Sequence, residues 1–137
     1  MYMEVLLSLN FFHVVIVAIV GFLFGSLWYS PLLFVRAWLV EMKMDPSAMQ
    51  GMVGRALGAF LCTLLSTTVL AALVSDHRSH GLIHGAELGL LVGVGLVAAR
   101  QAVNGLYSRT SLRLFLIVAG HDVGLCILQG AILARWA

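Results

Sequence analysis

The hydrophobic run Leu112–Ala134 constrains this chain most, because it carries an acidic residue in its middle. Between Arg113 and Arg135 it reads LFLIVAGHDVGLCILQGAILA, which is long enough to cross a bilayer once. The backbone of His121 and Asp122 then lies about 12 Å below the membrane surface. An aspartate is too short to reach the surface from there, and a charge at a helix centre costs roughly 2.5–3.5 kcal/mol. Asp122 must therefore be protonated, paired or exposed to a wet cavity, which makes it the first candidate for a functional residue.

The composition places the rest of the chain in a membrane as well. Of the 137 residues, 61% are hydrophobic and only 10% are charged, whereas a soluble domain carries about 25% charged residues. The net charge of +2 comes from arginines in the predicted loops and not from a basic stripe, so nucleic-acid binding gets no support. We predict a single transmembrane domain over residues 1–137, in contact with the lipid bilayer.

Four apolar stretches are each long enough for one crossing of about 20 residues. The short connections between them make consecutive helices antiparallel neighbours. We therefore predict an all-α membrane protein with four transmembrane helices in an antiparallel bundle. The predicted crossings are Leu9 to Tyr29, Ala56 to Val74, Leu82 to Val103 and Leu112 to Ala134.

A short interfacial helix is predicted after the first crossing. Pro31 ends that crossing, because the residue before a proline is pushed out of the α region. Ser30 and Pro31 then fit the N-cap and first position of a helix that runs to about Lys43 along the membrane surface. Asp45 and Pro46 repeat this pattern, which predicts that the next helix begins there.

The basic residues indicate which side of the membrane each connection occupies. Six of the eight lysines and arginines lie in or beside the first and third connections, and cytoplasmic loops carry the excess of such residues. Both termini and the second, histidine-rich connection are then outside. The six are Arg36, Lys43, Arg55, Arg100, Arg109 and Arg113, against Arg78 and Arg135.

Each crossing carries glycines four positions apart. In lipid no hydrophobic force brings helices together, so close backbone contact at small residues takes that role. Because the pattern recurs in every crossing, it predicts a tightly packed bundle. The glycines are Gly21 and Gly25; Gly54 and Gly58; Gly85, Gly89 and Gly93; and Gly120 and Gly124.

Two basic side chains are candidate partners for Asp122. Arg100 extends the row of Gly93 along the third crossing, and its side chain leans toward the level of Asp122, which predicts an ion pair. The alternative is an arginine that extends to the cytoplasmic surface beside a neutral Asp122. His13, in the first crossing, either joins His121 and Asp122 in a proton relay or bonds a neighbouring backbone or hydroxyl group.

The fourth crossing has two faces that need protein neighbours. Asp122, Cys126 and Gln129 share one face, and Gly124 lies on the opposite one. Four helices do not easily cover both, which predicts a homo-oligomer, with a dimer favoured. The predicted intramembrane polar residues are Asp122, His121, Arg100, His13, Glu87 and Gln129.

A histidine-rich connection precedes the third crossing. His77, His80, His84 and Glu87 recur at the spacing of one helical face, and imidazoles with a carboxylate can bind zinc or copper. Gly81 interrupts this face and favours a solvated polar loop. We therefore predict no metal and no other cofactor. The sequence shows no Ser/His/Asp set and no phosphate-binding loop, so an enzyme is not favoured.

Trp28, Tyr29, Pro31 and Trp38 form an interfacial signature after the first crossing. In the structural interpretation they hold the end of the helix at the membrane surface and turn the chain. In the functional interpretation the aromatic pair lines the mouth of a ligand site on the cytoplasmic side.

The stretches GSLWYSPLLFVRAW and GAILARW resemble the small bacterial membrane proteins of the family known as domain of unknown function 1761. The resemblance is specific around Trp28, Tyr29, Pro31, Phe34 and Trp38, and it covers the chain in length and in the order of its segments. It implies a four-helix integral membrane fold in the bacterial inner membrane and implies no activity.

Two functions from different classes fit these features. The first is a small-solute or proton-linked transporter or channel-like protein that acts as an oligomer, with Asp122 and His121 at its polar site. The second is a non-catalytic accessory or assembly subunit, whose glycine rows pack against a larger membrane protein.

Overall fold

The computed structural model describes residues 2–51, 53–76 and 81–136, and every regular element in these ranges is helical. Four helices are long and apolar enough to cross a membrane, which confirms the predicted all-α fold with four crossings. A π-helical segment, Gly93–Ala98, joins α5 and α6 into one crossing, Leu82–Ser108. The elements are α1 Tyr2–Ser8, α2 Phe11–Trp28, α3 Val35–Glu41, a 3₁₀ turn Pro46–Met49, α4 Val53–Asp76, α5 Leu82–Val92, α6 Ala99–Ser108 and α7 Leu112–Trp136.

Two predicted helix starts are wrong. The interfacial helix α3 begins at Val35 and not at Pro31, because the chain first turns, with the N–H of Phe34 donating to the carbonyl of Trp28. Asp45 does cap a helix, since its side chain accepts a hydrogen bond from the N–H of Ser47 at 2.8 Å. That helix is only a 3₁₀ turn, however, and the long α4 begins later, at Val53.

The third crossing ends later than its composition predicts. Asn104 to Ser111 has the polar character of a loop, yet α6 continues to Ser108. It ends at Arg109, which adopts a left-handed φ of 55°, and the N–H of Thr110 bonds back to Gly105 at 2.9 Å. A residue in this conformation is a common way to end a helix.

The glycine row of α5 sets the closest approach between helices. A Cβ added to Gly85 would lie 2.1 Å from the carbonyl oxygen of Gly130. A Cβ added to Gly89 would lie 2.1 Å from the carbonyl oxygen of Cys126. A Cβ at Gly93 would lie 3.0 Å from Val123. The contacts move toward the start of α7 as α5 advances, so the two helices are antiparallel.

The hydrophobic core lies at one end of the bundle. It joins the first half of α2, the second half of α4 and the end of α7, through Val14, Val17, Leu70, Val74 and Leu133. The first half of α4 is mostly exposed by comparison. One end of the bundle is therefore closely packed and the other, which carries α3, is open.

The helix α3 is fastened to the start of α7 at the open end. The guanidinium of Arg113 lies 3.7 Å from the carboxylate of Glu41, and the hydroxyl of Ser111 donates to the same carboxylate. Next to this contact, the rings of Tyr29 and Trp38 meet edge to face with centroids 5.9 Å apart. These contacts hold the end of α2 beside α7, where the polar residues lie.

Candidate functional site

The carboxyl group of Asp122 lies about 15 Å along α7 from Leu112 and is held by two side chains. Its Oδ1 lies 2.6 Å from Nδ1 of the neighbouring His121, and its Oδ2 accepts a hydrogen bond from the amide of Gln101 on α6. The side chain of Asp122 is 30% exposed and that of His121 only 14%. A charge-capable group thus lies inside the span, hydrogen-bonded but not enclosed.

The predicted ion pair between Arg100 and Asp122 is wrong. Arg100 is exposed, and its neighbour Gln101 contacts the carboxylate instead. The physical reason is the π-helical segment Gly93–Ala98. Hydrogen bonds there span five residues and not four, which shifts the face of the helix by about one residue. The face of the third crossing that carries Gly93 therefore continues to Gln101 and not to Arg100.

Aromatic rings from α2 and the residue after it surround His121. The ring of Phe24 stacks on the imidazole with centroids 5.7 Å apart, and the rings of Trp28 and Tyr29 lie at 6.1 and 5.2 Å. The indole N–H of Trp28 donates to the carbonyl of Ile117 at 3.0 Å, which fixes α2 against α7. The interfacial signature thus contacts the polar residues of α7 directly.

A cleft between α4, the third crossing and α7 leads to Asp122. Its volume is about 480 Å³, and its wall is apolar except for a few groups. We call it the Asp122 cleft. The polar residues along it are Thr63, Ser66, His121, Asp122 and Gln129.

Two smaller cavities adjoin the same residues. One, of about 230 Å³, lies between α2 and α4, where it is lined by Gly25, Tyr29 and Ala59, and His121 of α7 is also in its wall; we call it the α2–α4 pocket. The other, of about 340 Å³, lies beside α3 and has Gln101 in its wall.

Other predicted polar residues lie away from Asp122. Gln129 is fully buried and its amide donates to the hydroxyl of Thr67 at 2.7 Å, which joins α4 to α7. His13 is at the closely packed end of the bundle, stacked on Trp136 with centroids 4.5 Å apart. The proposed relay from His13 to His121 and Asp122 is therefore wrong.

Only part of the histidine-rich connection belongs to the residues that the structure describes. His77 and His80 lie outside the described residues, while His84 and Glu87 are exposed at the start of α5. In the part of the chain that the structure describes, no three histidine, cysteine, aspartate or glutamate side chains come together as metal ligands would.

The predicted glycine rows have different surroundings. Gly21 and Gly25 contact Gln129 and His121, and Gly120 and Gly124 contact Trp28 and Phe24. An added Cβ at Gly54 or Gly58 meets no atom of the described chain within 4 Å, so these two do not pack inside the chain.

Sequence patterns missed Gln101 and Phe24, which complete the surroundings of Asp122 and His121. Phe24 is one of several apolar residues in its crossing, and nothing distinguishes it before the fold is known. Gln101 is the polar neighbour of Arg100, and the shift that selects it has no local sequence signal.

The family model described as "Protein of unknown function (DUF1761)" matches residues 12–134, a range that includes Asp122 and nearly all of the four crossings. No curated protein and no solved structure matches the chain. The matched range covers the stretches on which the resemblance was noted, and it is far more than half of the chain. The chain therefore belongs to this family of proteins of unknown function, DUF1761.

Proposed function

We propose that this multi-pass membrane protein is a small proton-linked transporter or channel-like protein in which Asp122 is the proton-binding group. The observation that carries the proposal is the partly exposed carboxyl group of Asp122 in a cleft of about 480 Å³. Clefts of about 300–1,000 Å³ hold small organic molecules. Ionisable residues within a span often mark the path of an ion or a substrate.

The surroundings of Asp122 support a site that binds a solute when the carboxyl group is ionised and releases it on protonation. His121 and Gln101 can keep the carboxyl group in place whether or not it is ionised, since both are hydrogen-bonding groups. The ionised form would attract an apolar cation into the cleft, and protonation would release it. We propose that the solute is of this kind, because the remaining wall of the cleft is mostly apolar.

The distribution of basic residues supports an orientation in the bacterial inner membrane with both termini outside. The open end of the bundle, with α3 and the turn between α6 and α7, would then face the cytoplasm. The packed core would lie toward the outer surface.

The test is a flux measurement on purified protein in sealed lipid vesicles with a pH-sensitive dye inside. A transporter should speed the decay of an imposed pH gradient when tetraphenylphosphonium, an apolar cation, is added. A channel should speed the decay without it. Decay at the rate of protein-free vesicles under both conditions would contradict the proposal.

We also propose that the protein acts as a dimer through the exposed face of α4. Gly54 and Gly58 have open space around them, and Leu57 and Leu61 nearby are exposed. Cys62, one turn after Gly58, is exposed and also lines the Asp122 cleft. A second copy on this face would therefore cover the mouth of the cleft.

Oxidative cross-linking can test this dimer with native residues. In membranes that contain the Cys126→Ala variant, copper phenanthroline should join two chains through Cys62. The control that lacks both cysteines should remain monomeric. If Cys62 gives no dimer in folded protein, the face is not a symmetric interface, and the open glycines favour the alternative function, an accessory subunit bound to a larger membrane partner.

A further inference from the structure

The polar residues around Asp122 leave two buried atoms without a partner. Within the described ranges, the buried side-chain atoms that make no hydrogen bond are Nε2 of His121 and Oε1 of Gln101. These are the far atoms of the two side chains that bind the carboxyl group. Buried polar groups normally have a partner, often an ordered water molecule, so each of these atoms needs one.

His121 separates two cavities. It lines the Asp122 cleft on one side and the α2–α4 pocket on the other. Its Nδ1 is bonded to Asp122. Its Nε2 lies next to Gly25, where an added Cβ would be only 3.0 Å away, and Gly25 lines the α2–α4 pocket. The two ring nitrogens thus face different surroundings.

We propose that the α2–α4 pocket holds water that exchanges protons with Nε2 of His121, so that the imidazole connects this pocket to Asp122. The inference rests on the proposed function, because it gives the route by which Asp122 gains and loses its proton. Water needs polar partners in a cavity that is large enough. The pocket of about 230 Å³ is large enough, and the unpartnered Nε2 of His121 together with Tyr29 and Thr63 in its wall can provide the polar partners.

The proton balance of this route is simple. When Asp122 is protonated and His121 carries its proton on Nε2, the carboxyl proton moves to Nδ1. The proton on Nε2 then moves to a water molecule in the pocket. Asp122 becomes a carboxylate, the imidazole changes tautomer and stays neutral, and the water gains one proton. The reverse transfer, in which a proton from the pocket reaches Nε2 and the Nδ1 proton returns to the carboxylate, restores the starting tautomer.

The other titratable groups near the imidazole are few. Tyr29 faces it from the end of α2, Asp122 and Cys126 lie beside it on α7, and Cys62 faces the cleft from α4. Gly25 and Tyr29 lie at the end of α2 that is next to α3. The pocket therefore lies toward the open end of the bundle, which the proposed orientation directs to the cytoplasm.

Gly25 provides a substitution that tests this route without removing any titratable group. In Gly25→Ala the new methyl group would lie against Nε2, and neither His121 nor Asp122 is changed. Ala59 lies in the α4 wall of the same pocket, so Ala59→Leu fills it from the opposite side. Gly95→Ala, on the third crossing, is the matched control, because a methyl group there meets open space and Gly95 lines neither the pocket nor the Asp122 cleft.

The experiment is ¹⁵N NMR of histidine-labelled protein in lipid nanodiscs, with the His121 signals assigned through His121→Gln. Exchange between water and the Nε2 proton should be at least about tenfold slower in Gly25→Ala and in Ala59→Leu than in wild type, since buried protons exchange only when water reaches them. Gly95→Ala should match wild type. If Gly25→Ala does not fold, Ala59→Leu decides the question.

Equal exchange in wild type and in the pocket-filling variants would overturn the inference, and so would an Nε2 proton that water does not reach in wild type. This measurement needs no transport. A failed exchange result therefore leaves the flux test intact, and absent flux with normal exchange rejects only the proposed function.

Discussion

In vesicles that contain Asp122→Asn, the pH gradient should decay no faster than in protein-free vesicles. Asparagine has nearly the shape of aspartate, and its amide can bond to both His121 and Gln101, so the local packing should survive. What it loses is the ability to hold a negative charge or a carboxyl proton. If Asp122 carries the proton, the protein-dependent flux should fall by roughly tenfold or more. A tenfold fall corresponds to an increase of about 1.4 kcal/mol in the activation free energy of transport.

Asp76→Asn is the matched control for this result, because Asp76 is exposed at the end of α4, far from the Asp122 cleft. It should keep the wild-type flux. Both variants should show the wild-type helix content by circular dichroism. Full flux in folded Asp122→Asn would mean that another group carries the proton, and it would contradict the role proposed for Asp122.

Gly89→Ala should strongly destabilise the bundle. A Cβ there would lie 2.1 Å from the carbonyl oxygen of Cys126 and 2.9 Å from Cα of Ile127. Both atoms belong to the backbone of α7, so the contact is relieved only if two helices move apart. Overpacking of this kind costs about 1–3 kcal/mol, and more where the backbone must shift.

The control for Gly89→Ala lies on the same crossing, since a Cβ at Gly95 meets open space. Unfolding in mixed micelles with increasing dodecyl sulfate should shift to a clearly lower denaturant fraction for Gly89→Ala and stay near wild type for Gly95→Ala. An equal shift for both would attribute the effect to the general properties of alanine in this crossing and not to the approach of α5 to α7.

The crossings could be predicted from the sequence because a bilayer requires long apolar stretches. Helix ends were less predictable: polar residues after residue 103 have the composition of a loop, yet α6 continues to Ser108. Asp122 and His121 were identified as candidates from their depth alone. Those predictions use properties of one segment at a time.

Contacts between crossings depend on rotation and register, which no single segment encodes. The π-helical segment Gly93–Ala98 turns Gln101, and not Arg100, toward Asp122. His13 lies in the first crossing as predicted, but it is at the closely packed end of the bundle, stacked on Trp136 and away from Asp122. In the sequence alone the interfacial signature fits either an anchor or a ligand mouth, and only the fold places Trp28 and Tyr29 in contact with His121.

The position of the hydrophobic core has a mechanical consequence. Val17, Leu70 and Leu133 hold α2, α4 and α7 together at one end of the bundle, and in the described part of the chain the opposite ends of these helices lack such a core. A molecule too large for the resting Asp122 cleft would be admitted by outward movement of the first half of α4, which is mostly exposed, while the glycine row keeps the third crossing against α7. The start of α7 would stay in place, because Arg113 is paired with Glu41 of α3.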